Sequence, residues 1–183
     1  MKKLPLLLSL IAFIGGLIVA QQYFTKRSLP TSKQIPIAGK QFGGEFTLQP
    51  EGGKAVSLSD YKGKKLVVFF YPKASTPGCT VEACNLRDNY EVLQEQGYEL
   101  LGVSADSAKR QSNFKNKHEF PFPLLADEDK TVINAFGVWG PKKFMGREYD
   151  GIHRMTFLVN EEGVVDRVIE KVKTKDHAAQ ILA

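Results

Sequence analysis

Hydrophobic positions along this chain fall into short blocks whose spacing predicts strands alternating with helices. Leu66-Val67-Val68-Phe69-Phe70-Tyr71 is an unbroken apolar run without polar alternation, the pattern of a central strand buried on both faces. Residues 99–105 (Glu-Leu-Leu-Gly-Val-Ser-Ala) predict a second buried strand. Between them, residues 79–96 are patterned as a helix that stops at Gly97. Residues 107–118 predict a polar helix entered through Asp106 or Ser107 as its cap. A short strand over 122–126 follows Pro121, and a short helix over 130–136 ends at Gly137. Residues 155–159 and 164–170 predict a hairpin across Asn160-Glu161-Glu162-Gly163, and residues 174–182 a last helix capped by Thr174. Upstream, residues 45–48 and 55–58 are short strands around Glu51-Gly52-Gly53, with a loop over 59–65. This order argues a three-layer α/β domain.

The first twenty residues are a different material. Lys2 and Lys3 precede an uncharged, almost wholly apolar run over 4–20, and Gln21-Gln22 follow. That is the charged, apolar, polar order of a secretory signal, with Ala20 as the cleavage residue. The run is also near the lower limit of about 17–25 residues for a spanning helix. Residues 1–20 are therefore expected to be a signal peptide or an N-terminal membrane anchor. Lysines ahead of the run favour a cytoplasmic N-terminus and an exported, periplasmic or extracytoplasmic body. Residues 21–36, with Pro30, Pro36 and many polar side chains, read as a linker, and residues 37–183 as the folded domain.

Charge changes the picture little. Lys2 and Lys3 supply two of the five net positive charges, leaving +3 spread among acids over the rest of the 183 residues. No basic stripe with interleaved aromatics is present, so a nucleic-acid role is not indicated. Lys142-Lys143 and Arg147 read as a solvated face, and Trp139, Phe120, Phe122 and Phe144 as core or loop packing.

Cysteine usage carries more. Cys79 and Cys84 are the only two, and Cys79 follows Thr76-Pro77-Gly78 where the predicted helix begins. A thiol there faces unpaired N–H groups and the positive end of the helix dipole, which favour its thiolate. Zinc-binding cysteines sit closer together and need further ligands, which His118, His153 and His177 do not supply at metal spacing. The redox spacing Cys-x-x-Cys is absent. A structural disulfide meets a geometric objection: residues five apart on a helix are separated by about 7.5 Å of rise and face different sides, whereas bridged Cα atoms lie about 4.4–6.8 Å apart. A bridge between them would need the helix to unwind locally.

The stretch Pro72-x-x-x-Thr76-x-x-Cys79 resembles the active-site motif of peroxiredoxins. With Cys84 and Asn85-Leu86-Arg87-Asp88 behind it, it is similar to the bacterioferritin comigratory protein, or peroxiredoxin Q, subfamily. A second block agrees, running from Gly137-Val138-Trp139-Gly140-Pro141 through Gly151-Ile152-His153-Arg154-Met155-Thr156. The resemblance covers about residues 37–183. It implies a thioredoxin fold, three-layered α/β/α, with an N-terminal β-hairpin addition, and a thiol-dependent peroxidase for hydrogen peroxide and organic hydroperoxides. It implies that Cys79 is the peroxidatic cysteine and becomes a sulfenic acid, and that Cys84 resolves it as an intrachain disulfide. Thr76 would offer its hydroxyl to the peroxide oxygens, Arg154 a fixed positive charge, and Pro72 a shield over the site. It implies no metal, haem or flavin, a thioredoxin or thioredoxin-like reductant, and a monomer or weak dimer. Two rivals stay in view: an exported thiol–disulfide oxidoreductase acting on proteins, and a non-catalytic redox-sensing module.

Overall fold

The computed structural model describes residues 47–48 and 56–183; the expected signal or anchor over 1–20, the linker over 21–36 and the Glu51-Gly52-Gly53 turn lie outside them. Two short strands, β1 (Thr47–Leu48) and β2 (Val56–Ser57), pair antiparallel as an N-terminal hairpin. The main sheet has five strands: β3 (Lys65–Phe70), β4 (Tyr98–Ser104), β5 (Leu124–Ala126), β8 (Met155–Val159) and β9 (Val165–Ile169). Its order is β5-β4-β3-β8-β9; β4 runs parallel to β3 and β5, while β8 is antiparallel to β3 and β9. Parallel neighbours require crossovers, and helices supply them.

The apolar run 66–71 behaves as its composition demands. Leu66, Val68 and Phe70 join one core and Val67, Phe69 and Tyr71 the other, on opposite faces of the sheet. Over the second face lie α1 (Pro77–Asp88), α2 (Tyr90–Glu95), α3 (Ala108–His118) and α5 (His177–Leu182), which contribute Ala83, Leu86, Leu93, Phe114, Ala178 and Ile181. Over the first lies α4 (Thr131–Ala135) with Val132 and Ile133. Gly102 lets β4 and its neighbours close: a Cβ there would come within 2.6 Å of both Phe69 and Leu124. This is a thioredoxin fold with β1–β2 as the N-terminal hairpin.

Several expectations shift. The single helix over 79–96 is two helices broken at Asn89, whose side chain donates to the Asn85 carbonyl (2.8 Å); such a side-chain bond competes with the helical ladder. The last helix starts at His177 after Asp176, so Thr174 is not its cap. The expected loop over 59–65 holds a 3-10 turn, Leu58–Tyr61, and ends inside β3. Between α4 and β8 the chain forms a hairpin that the hydrophobic pattern did not announce: β6 (Trp139–Phe144) and β7 (Arg147–Ile152). Its strands are mostly polar or exposed, and its two-residue turn, Met145-Gly146, has both φ values positive (49° and 78°), the twist a tight hairpin needs.

Candidate active site

α1 begins just past the end of β3. Thr76 precedes it in extended conformation, and Pro77 opens it, a position where proline's missing N–H costs nothing. Cys79 is therefore in the first turn, among amides without intrahelical acceptors. Its side chain is buried, Cys84 is half-buried, and both are free thiols. Both stand on α1, the arrangement that keeps residues five apart from bonding while the helix is intact.

Arg154 reaches this turn from the end of the segment that leads into β8. Its Nη2 donates to Cys79 Sγ at 3.2 Å, a charge-assisted contact that seats the sulfur against the guanidinium. Its Nη1 pairs with Glu82 Oε2. Glu82 is completely buried on α1, three residues beyond Cys79 and so on the same face of the helix. Glu82 Oε1 faces His177 Nδ1 at 3.2 Å, and His177 Nε2 lies 2.9 Å from Thr156 Oγ1 on β8. His177 is itself wholly buried; burial, with the Arg154 charge second, pushes its pKa down to about 4. The ring is neutral at pH 7.

The loop carrying Pro72 and Thr76 is clamped from behind. The Ala74 N–H donates to Asp106 Oδ2 (2.7 Å), and Arg110 Nη2 donates to the Ala74 carbonyl (3.0 Å). Asp106 and Arg110 pair with each other at 3.0 Å, and Ser104 Oγ donates to Asp106 (2.8 Å). Next to this clamp Ser75 takes a left-handed backbone (φ 63°), a conformation that surrounding contacts must hold for a residue with a Cβ. The cap of α3 is Ser107, which accepts from the Arg110 N–H at 3.4 Å; Asp106 is the clamp instead.

Of the residues singled out from the sequence, Cys79 and Arg154 are in contact, and Cys84 sits further along α1. Thr76 gives its hydroxyl proton to the Lys73 carbonyl (2.9 Å), leaving its oxygen as an acceptor at the mouth of the helix. Pro72 lines a cleft of about 360 Å³ with Lys73, Trp139, Lys142, Tyr149 and Ile152. Lys142 is not simply a solvated charge: its Nζ donates to the Ile152 carbonyl (2.9 Å), and burial lowers its pKa. Sequence reading passed over Glu82, His177 and the Asp106–Arg110 clamp. For Glu82 a signal existed in its i+3 spacing from Cys79; His177 is 98 positions away from Cys79 and has none.

The AhpC/TSA family profile matches residues 39–168. The bcp protein of Haemophilus influenzae is 53% identical over 137 residues, 75% of this chain and 88% of that protein. Peroxiredoxin Bcp of Escherichia coli is 44% identical over 147 residues, 80% of this chain and 94% of that protein. Among solved structures, the bacterioferritin comigratory protein of Xanthomonas campestris, described for its alkyl peroxide reduction activity, matches with a TM-score of 0.72 at 39% identity, covering 75% of this chain and 87% of that one. These relatives favour a peroxidase over the two rival readings. They also correct the exported location drawn from residues 1–20. The relatives are peroxiredoxins of the Bcp group, and among the described residues, which do not include 1–20, no helix is long and apolar enough to cross a membrane. A short apolar run behind two lysines was too little to carry that expectation, since its length sits at the margin of a span. The chain belongs to the AhpC/TSA family, in its bacterioferritin comigratory protein or peroxiredoxin Q group, and is a thiol-dependent peroxidase.

Proposed function

We propose that Cys79 attacks the peroxide and that Cys84 completes the cycle. The observation that carries this reading is the contact between Arg154 Nη2 and the buried Cys79 Sγ at 3.2 Å. The Cys79 thiolate attacks one peroxide oxygen; an S–O bond forms as the O–O bond breaks. Sulfur is oxidised to sulfenic acid, and the other oxygen leaves as alkoxide or hydroxide and takes up a proton. Arg154 stabilises the charge that builds on the oxygens in that step, and the Thr76 oxygen accepts the peroxide O–H. Pro72 limits water at the sulfur. The cleft beside Pro72, with the Trp139 and Tyr149 rings, has room for the carbon part of an organic hydroperoxide.

Cys84 then attacks the sulfenic sulfur. An S–S bond forms, S–O breaks, and water leaves. Because both cysteines belong to α1, its residues 79–84 must unwind for this step. Thioredoxin or a thioredoxin-like dithiol reduces the bridge by exchange. The resemblance to the bacterioferritin comigratory protein group supports action as a monomer or weak dimer. The test is mass spectrometry of the reduced protein after one equivalent of hydrogen peroxide, beside Cys79→Ser and Cys84→Ser. The expected result is a Cys79–Cys84 bridge in the natural chain, no peroxide consumed by Cys79→Ser, and a single turnover ending in sulfenic acid for Cys84→Ser. Peroxide loss undiminished in Cys79→Ser would refute the assignment.

A further inference from the structure

Arg154 is presented to Cys79 by Glu82, and Glu82 has two carboxylate oxygens. Oε2 is taken by Arg154. Oε1 is buried and lies 3.2 Å from His177 Nδ1, itself buried, and neither atom makes a hydrogen bond among the described residues as the ring stands. His177 stands at the first position of α5, on an element that does not line the cleft. Its orientation is fixed from two other sides: Thr156 Oγ1 lies 2.9 Å from Nε2, and Phe69 meets the ring edge-on at 6.3 Å between centroids.

The donor inventory settles which nitrogen holds the proton. A carboxylate oxygen only accepts, and a neutral imidazole has one N–H and one acceptor nitrogen. The Nδ1–H is therefore the partner that Glu82 Oε1 requires, and the Thr156 hydroxyl donates to Nε2. Once Nδ1–H points at Oε1 both oxygens are engaged, the carboxylate plane is fixed, and the guanidinium bound to it has one orientation. Without Nδ1–H, Glu82 keeps a buried, unsatisfied lone pair, which is relieved by rotation of the carboxylate and takes Arg154 with it. Thr156 closes the arrangement, since it lies two residues from Arg154 on β8 and holds His177 to the same strand.

We propose that His177 is a positioning residue of the peroxide step: through Glu82 it holds Arg154 Nη2 at the Cys79 sulfur. This rests on the reading of Cys79 and Arg154 given above. Asparagine places its amide nitrogen where Nδ1 stands, glutamine places its polar end near Nε2, and leucine fills the volume with neither. The experiment measures the second-order rate of hydrogen peroxide consumption by the reduced full chain carrying His177→Asn, His177→Gln or His177→Leu, with thermal midpoints and a Cys79→Ser control.

His177→Asn is expected to stay within about threefold of the natural rate, while His177→Gln and His177→Leu lose about tenfold or more, the scale of one lost hydrogen bond to a charged group. A packing role would instead rank the variants by thermal midpoint, with leucine no worse than asparagine. Equal losses in His177→Asn and His177→Leu, or a His177→Leu rate within threefold of the natural chain, would overturn the proposal. If His177→Leu does not fold, the comparison of asparagine with glutamine decides alone. Activity surviving in Cys79→Ser would mean instead that the underlying reading had failed.

Discussion

At the scale of single residues, the proposed chemistry depends on a buried carboxylate that touches no substrate. Glu82 is wholly inside the protein and is tolerable there because Arg154 neutralises it. Truncating one member of such a pair strands the other charge. Glu82→Ala should therefore cost roughly 3–5 kcal/mol in urea unfolding, whereas Glu82→Gln, which keeps an oxygen for Arg154, should cost clearly less. Equal losses would show that the ion pair is not what the site rests on. His177 gives a second test, through pH. Its pKa is depressed from 6.5 to about 4 in the folded chain, so the unfolded chain takes up a proton that the folded one refuses. Stability from this group is fully present above about pH 6.5 and is lost as pH falls toward 4, by roughly 3 kcal/mol across the window. Urea midpoints at pH 7 and pH 4.5 should show the drop, and His177→Asn should flatten it.

The scale of elements is where the catalytic cycle meets the fold. In the proposed cycle α1 unwinds between Cys79 and Cys84, yet it is fastened to α5 immediately beyond Cys84. Asn85 Nδ2 donates to the Lys175 carbonyl (2.8 Å), and the Ala178 N–H donates to Asn85 Oδ1 (2.9 Å). One carboxamide thus holds both sides of the turn that enters α5, with Glu82 facing His177 one helical turn earlier. Removing the clamp leaves Cys79 and Arg154 in place but frees the end of the segment that has to open. Asn85→Ala is expected to speed disulfide formation several-fold in quenched-flow mass spectrometry while lowering stability by about 1–2 kcal/mol. A lower stability with an unchanged rate of bridge formation would show that unwinding stops short of Asn85.

For the whole molecule, the sheet brings together segments far apart in the chain. β3 delivers the Pro72–Thr76 loop, and β8, its antiparallel neighbour, starts directly after Arg154. Their pairing of Phe70 with Met155 puts the arginine opposite the start of α1. The β6–β7 hairpin stands beside that point and walls the cleft with Trp139 and Tyr149. Trp139→Ala should reduce the rate with a bulky organic hydroperoxide about tenfold while changing the hydrogen peroxide rate less than threefold, since burying an apolar group of this size is worth on the order of 1–3 kcal/mol. Parallel losses with both substrates would remove the cleft from substrate selection.

Sequence by itself determined what is set locally. The run 66–71 could only be a strand covered on both faces, because six consecutive apolar side chains alternate between two sides and both must be kept from water. Thr76-Pro77-Gly78 before Cys79 placed the sulfur at a helix start, and the five-residue spacing to Cys84 already meant that any bridge between them would require unwinding. The polar β6–β7 hairpin was invisible, since exposed strands carry no hydrophobic period and Met145-Gly146 is not a common turn pair. The break at Asn89 was hidden too, as it depends on a side chain competing with the helix. Only the tertiary structure decided the environment of Cys79. Arg154, Glu82, His177 and Thr156 come from one helix, one strand with the segment leading into it, and a second helix. Their effect depends on separations near 3 Å inside a dry core, and such distances follow from how the sheet and helices pack.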